Sequence, residues 1–197
     1  MNQDKDKDRR TTSGAVQRRL PTARDRLFDS TSARSYAVLD GARVEKLVRQ
    51  IATLRAPSAC LFAGKLEPSR ARIAPYLVQL ERDGAFTNWL FERGIGRSWG
   101  IFIRTDSELD PLRKHLRRFL LVRGPDGKQL YFRWYDPRVL RTYLPTCDDS
   151  DVAQLFGPID SFGVESDDAR ELLLFHGDTA PPSVERIAFG AAQNAAT

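Results

Sequence analysis

The sequence predicts an α/β fold, with a mixed central β-sheet and helices packed on its faces, in a single domain that follows a disordered N-terminal tail. Three observations carry this expectation. Short apolar runs alternate with amphipathic stretches through the first two-thirds of the chain, as strands alternating with helices would require. The turn sequence Gly124-Pro125-Asp126-Gly127 stands between two strand-like runs and adds a hairpin. The length of 197 residues, 41% apolar and 29% charged, suits one well-filled core and is short for two.

Residues 1–33 are rich in charge, Ser, Thr and Arg with no sustained period, and read as a disordered basic tail. They hold most of the net charge of +5. Residues 1–26 carry eight basic against four acidic side chains, which leaves 23 against 22 for the rest. A nucleic-acid binder usually carries its basic face on the folded domain, so this distribution argues against that partner.

The domain is expected over 34–176. Tyr36-Ala37-Val38-Leu39 suits a buried strand, closed by Asp40-Gly41. Val44, Leu47, Val48, Ile51 and Leu54 then recur at helical spacing until Pro57. Runs 59–62 and 74–80 read as strands. Asp83 can cap a helix whose core stripe is Phe86, Trp89 and Leu90, ending at Gly94. Run 99–104 is a strand. Thr105 with Glu108 fits a capping box for a helix that presents Leu109, Leu112, Leu116, Phe119 and Leu120.

Runs 120–123 and 129–135 form the hairpin. Its alternation puts Leu130, Phe132 and Trp134 on one face and Tyr131, Arg133 and Tyr135 on the other. Asp136-Pro137 caps and starts a helix, since Asp suits the cap and Pro needs no donor at the first helical position. A short helix over 149–156 stops at Gly157-Pro158, and 161–164 with 172–175 make a last strand pair. Residues 177–197 turn polar and Ala-rich and are expected to fray as a C-terminal tail.

The residues show no persuasive catalytic, cofactor or metal constellation. Gly94-Ile95-Gly96 lacks the last glycine of a dinucleotide fingerprint and follows a helix. His176 and Asp178 could supply two metal ligands, with no His or Cys at a spacing to complete the shell. Asp148-Asp149-Ser150-Asp151 is half an EF-hand loop and reads better as a helix cap. His115 lies among cations that would keep it neutral. Cys60 reads as a buried thiol and Cys147 as lying in a more polar setting; with two histidines in the chain, neither has an obvious base. The chain is expected to be no enzyme. Its N-terminus lacks the apolar segment of a secretory signal. No run approaches the ~20 apolar residues of a membrane span, so a cytoplasmic location with no membrane partner is expected.

Six motifs resemble a known family. They are Tyr36-Ala37-Val38-Leu39-Asp40-Gly41-Ala42, Ala74-Pro75-Tyr76-Leu77-Val78-Gln79-Leu80, Trp99-Gly100-Ile101, His115-Leu116-Arg117-Arg118-Phe119-Leu120, Phe132-Arg133-Trp134-Tyr135-Asp136-Pro137-Arg138-Val139-Leu140 and Phe156-Gly157-Pro158. In order and spacing, from about 35 to 160, the chain resembles the type VI secretion effector adaptor-chaperones, whose shared domain was long catalogued as one of unknown function. The resemblance implies a protein that binds a cognate effector and helps load it onto the valine-glycine-repeat spike protein, with no cofactor and no catalytic residue. Longer members continue into a variable C-terminal region associated with cargo.

Candidate structural or partner-contacting residues are Arg118, Tyr131, Arg133, Tyr135, Asp136, Arg138 and Tyr143. Arg133, Asp136 and Arg138 are expected to make the polar corner between hairpin and helix. The tyrosines could offer aromatic surface to a partner. Two other classes stay open. One is a phosphate-directed enzyme or nucleic-acid module, which needs Arg113, Arg117, Arg118, Arg133 and Arg138 to converge on a cleft. The other is a structural component of the secretion baseplate.

Overall fold

The computed structural model describes residues 20–29, 32–124 and 126–190. The expected disorder of residues 1–19 and fraying of 191–197 lie outside the described residues. The elements are α1 (Ala23–Leu27), β1 (Arg34–Asp40), α2 (Leu47–Thr53), β2 (Ser58–Cys60), α3 (Pro68–Ile73), β3 (Pro75–Leu80), α4 (Ala85–Gly94), β4 (Gly100–Thr105) and α5 (Leu109–Arg117). They continue with β5 (Leu121–Arg123), β6 (Gln129–Tyr131), α6 (Pro137–Tyr143), α7 (Asp149–Phe156), β7 (Ile159–Glu165), β8 (Glu171–His176) and β9 (Ser183–Ala188).

Seven strands form one sheet in the order β2-β3-β1-β4-β7-β8-β9, and β5 pairs with β6 apart from it. Every neighbouring pair is antiparallel. The fold class is α/β as expected, but the sheet is not mixed. The α4 crossover does make β3 and β4 parallel to each other. However, β1 lies between them and runs against both.

Alternation along the strands gives the sheet two apolar faces. Tyr36, Val38, Leu77, Ile101, Ile103, Phe162 and Val164 point to one, where Leu112, Leu116, Leu140 and Val152 from α5, α6 and α7 cover them. Ala37, Leu39, Val78, Phe102, Leu172 and Leu174 point to the other, under Leu27, Leu47, Ile51, Leu90 and Phe91 from α1, α2 and α4. Burial on both faces explains why the strands read as continuous apolar runs despite being antiparallel. Gly100 is needed for this pairing: a Cβ there would lie 1.9 Å from the Val38 carbonyl oxygen on β1.

Both tail boundaries need correction. α1 falls inside 1–33, yet it has a complete capping box between Thr22 and Asp25 and buries Ala23 and Leu27. Arg24 lies over the Phe91 ring at 4.7 Å, and Arg26 pairs with Glu185 of β9 at 2.8 Å. β9 falls inside 177–197 and pairs along β8, burying Ile187 and then Phe189. Two apolar residues at strand spacing are too few to stand out in a polar stretch, but a sheet edge already in place can bury them. Limited proteolysis should therefore leave a resistant fragment that retains Thr22–Leu27 and Phe189. A fragment trimmed to about 35–176 would show that α1 and β9 do not dock in solution.

Smaller differences have local causes. α2 begins at Leu47 because Lys46 is left-handed (φ 59°), which breaks the helical run from Val44. Val48, read as core, is exposed. Gly84, not Asp83, is the N-cap of α4. Thr105 caps nothing: it ends β4, accepts from Ser107 N at 3.0 Å and donates to the Pro158 carbonyl, while Glu108 starts α5 without a side-chain cap bond. Cys147 is buried and Cys60 is half-buried on an edge strand, the reverse of their sequence settings.

Candidate functional site

A polar cluster lies where β1, β7 and α6 end or begin. Three carboxylates lie in the interior there: Asp40 and Glu165 end apolar strands, Asp136 caps α6, and all three are buried. Each needs compensation, because an isolated buried charge is costly. Arg133 pairs with Asp40 Oδ2, and Asp40 Oδ1 accepts from Ala42 N at 3.0 Å. Asp136 caps α6 by accepting from Arg138 N at 3.1 Å, and the Arg138 guanidinium binds its other oxygen at 2.6 Å. The Gly96 and Ser98 N–H groups donate toward Glu165, with Arg141 and Arg43 as the nearby positive charges.

Burial pushes the Asp136 carboxyl up, but the side-chain and backbone hydrogen bonds from Arg138 outweigh it and hold the group below the ordinary carboxylate range. Glu165 shows the opposite balance. Burial outweighs its two N–H donors and the charges of Arg141 and Arg43, and its carboxyl is pushed up to about 7.

The expected corner of Arg133, Asp136 and Arg138 is present in part. Asp136 and Arg138 bind each other, but the partner of Arg133 is Asp40, 93 residues away. The hairpin strand also stops at Tyr131, not 135. The face assignment then fails: Trp134 and Tyr135 are both buried, their rings edge to face at 5.8 Å, while Leu130 is exposed. Tyr143 is half-buried, edge-on to Phe132 at 5.1 Å, and burial leads in pushing its hydroxyl up to about 12. Tyr131 is 44% exposed and rests edge-on against Phe62 at 5.7 Å. It shares one face of the hairpin with Leu121, while Val122 and Leu130 share the other, and all four are exposed. Of the three candidate tyrosines, Tyr131 is the one open to a partner.

Arg118 is exposed and donates to His115 Nδ1 at 2.7 Å. The same ring donates from Nε2 to the Leu155 carbonyl at 2.8 Å, which fixes its tautomer. Burial, ahead of the Arg118 charge, lowers the His115 pKa, so the sequence expectation of a neutral ring stands with a different leading cause. Gly157 makes room for that ring: a Cβ there would come within 2.5 Å of it. His176 sits 3.9 Å from Glu185, and Asp178 accepts from the Ser183 hydroxyl.

Four of the five arginines of the phosphate reading are engaged with separate groups of the fold. Arg113 donates to the Cys60 carbonyl at 2.8 Å, Arg118 to His115, Arg133 pairs with Asp40 and Arg138 with Asp136. Sequence reasoning missed Asp40, Glu165, Arg43 and Arg141 as members of the corner. A charged residue directly ending a buried strand run was the available signal for Asp40 and Glu165.

The cap allows a direct test. Asp136→Ala should cost about 1 kcal/mol, the ordinary loss of an N-cap. The half-exposed Arg138 pair adds little to this. Asp136→Asn keeps a capping oxygen and should stay within about 0.5 kcal/mol of wild type. Urea melts of both variants check this, and equal losses would show that charge, not capping, is what counts.

The motifs that carry the sequence resemblance thus meet as joints of the fold. Asp40 N donates to Trp99 O at 2.9 Å, Gly41 N to Ala74 O at 3.1 Å, Arg133 closes on Asp40, and Gly157 admits His115. Together they define an α/β protein with a three-layer core and a closed ionic corner. It belongs to the family described as Domain of unknown function (DUF4123), matched over residues 35–154. Over 99 residues the chain is also 38% identical to the glycine–tRNA ligases of Staphylococcus aureus strains JH9, Newman and JH1. That alignment takes in 46% of this chain and 19% of each ligase, so the chain spans about a fifth of the length of these curated relatives. No solved structure matches the chain. No helix among the described residues is long and apolar enough to cross a membrane.

Proposed function

We propose that this protein is a cytoplasmic, non-enzymatic adaptor-chaperone of a type VI secretion system, which binds a cognate effector and helps load it onto the valine-glycine-repeat spike protein. The observation that carries the reading is the family match over residues 35–154, the stretch on which five of the six motifs fall, with Phe156-Gly157-Pro158 just beyond it. The geometry supports it in two ways. The motif residues are engaged with one another, as architecture requires, and the hairpin offers Leu121, Val122, Leu130 and Tyr131 to a partner. Exposed apolar surface of this kind suits recognition of a protein segment. No cofactor enters this reading. The ligase likeness covers too small a part of that enzyme to carry its activity here.

Co-expression with the effector encoded beside this gene, followed by affinity purification and size-exclusion chromatography, tests the proposal. A stoichiometric complex is expected, with effector solubility dependent on this protein. Tyr131→Asp should weaken the complex and leave the fold intact, since an exposed substitution changes stability by roughly 0.5 kcal/mol or less. If the two proteins elute apart at micromolar concentration, and deletion of this gene leaves effector secretion intact, the reading fails.

A further inference from the structure

α3 buries none of its residues, which is unusual for an amphipathic element. Its Ile73 is 54% exposed, and across from it Val48 of α2 is 40% exposed. Between these helices lies a groove of about 770 Å³. Its apolar lining is Val44, Leu47, Val48, Ala52 and Ile73. The base of the groove is fixed. Gly41 donates to the Ala74 carbonyl, and any side chain at Gly41 would come within 2.5 Å of that oxygen and 2.6 Å of the Arg72 oxygen.

The rim has one dominant sign. Arg43, Lys46, Arg49 and Arg72 border the groove against Glu45 as the acidic lining residue. Lys46 and Glu45 pair with each other at 3.1 Å, and Arg43 reaches the Arg97 carbonyl at 3.4 Å. A groove with an aliphatic floor and cationic banks selects an apolar segment with acidic flanks. Residues 1–19 carry six basic against three acidic side chains and have the same sign as the rim. Residues 191–197 carry no charge. Neither complements it, so charge favours a segment of another protein. Nucleic acid fits less well, because the lining holds no aromatic ring on which a base could stack.

From this we infer that the α2–α3 groove binds an acidic amphipathic helix of a partner protein, its aliphatic stripe between Val48 and Ile73 and its carboxylates on Arg49 and Arg72. The inference deepens the adaptor reading and rests on it in one respect: an adaptor must hold two proteins, and the groove lies on the α2 side of the sheet while the hairpin packs on the other side.

The test uses the full chain and a fluorescein-labelled synthetic peptide of about 18 residues, five helical turns. Leu occupies the i, i+3, i+4, i+7 positions and Glu most others. A twin carries Lys for Glu. Fluorescence anisotropy should show binding of the acidic peptide, with the basic twin weaker by roughly tenfold or more. Ile73→Asp, Val48→Asp and Arg49→Glu should each weaken the acidic peptide by a similar factor with unchanged melting temperatures. Absence of binding, equal binding by the groove variants, or displacement of the peptide by single-stranded oligothymidine would each overturn the inference. The adaptor reading is judged separately. An effector complex that forms equally well with wild type and groove variants, alongside an acidic peptide that does not bind, sinks the groove alone. A peptide that binds while effector and wild type elute apart sinks the adaptor reading alone.

Discussion

Trp134→Ala should lower the unfolding free energy by about 3–5 kcal/mol, the largest single-residue effect expected in this protein. Trp134 is completely buried and is the largest of the fully buried side chains. It belongs to the apolar cluster under α5, α6 and α7, and its ring meets Tyr135 edge to face. Truncation would remove the transfer free energy of the indole and leave a cavity that flanking helices and sheet cannot fully close. The indole N–H has no hydrogen-bond partner among the described residues. Trp134→Phe would remove that unpaired donor while keeping an aromatic ring, so it should be much milder than the Ala change. Urea denaturation of both variants gives the comparison. Losses of similar size would mean that the cavity is not what makes Trp134 costly to remove.

The second large effect concerns pH. In the folded protein Glu165 keeps its proton up to about 7, whereas in the unfolded chain it ionises near its ordinary value of 4.5. Between these values the folded state binds more protons than the unfolded state. The associated stability is therefore fully present below about pH 4.5 and is lost as pH rises through about 7. The whole change amounts to roughly 3 kcal/mol. Glu165→Gln cannot ionise and retains a carbonyl oxygen for the Gly96 and Ser98 N–H groups. Its stability should change much less across this window. Chemical melts of wild type and variant from pH 5 to 8 should diverge progressively, with the wild type falling faster. Parallel curves would show that the carboxyl is ionised in both states throughout. Ser98 is itself left-handed at φ 50°, so the loop that Glu165 holds is a strained one.

Much of the architecture was legible in the chain. Continuous apolar runs marked β1, β3 and β4, and Asp136-Pro137 and Asp148 marked the starts of α6 and α7 through capping chemistry that acts over a few residues. The hairpin followed from its turn residues. These features depend on neighbours in sequence, and periodicity reports them directly.

Other features depended on residues brought together from far apart. The sheet is wholly antiparallel because β1 takes the place between β3 and β4, a choice of neighbour that local pattern does not encode. α1 and β9 are ordered because the finished sheet and α4 offer them surface: alone, five helical residues and a polar edge strand would not persist. The hairpin's alternation ended at Tyr131 because the chain turns there to bury both Trp134 and Tyr135.

The corner divides along the same line. Asp136 with Arg138 is local, two residues apart, and its capping role could be read from sequence. Asp40 with Arg133, and Glu165 with the Gly96–Ser98 loop, join distant segments. The sequence by itself determined the helix caps, the apolar strands, the hairpin turn and the family motifs, since each rests on short-range geometry. The tertiary structure alone decided which carboxylates are buried, which arginines meet them, and which apolar side chains, Val48 and Ile73 among them, are left facing solvent. Burial and long-range pairing are set by the packing of whole layers, and no single segment contains that information.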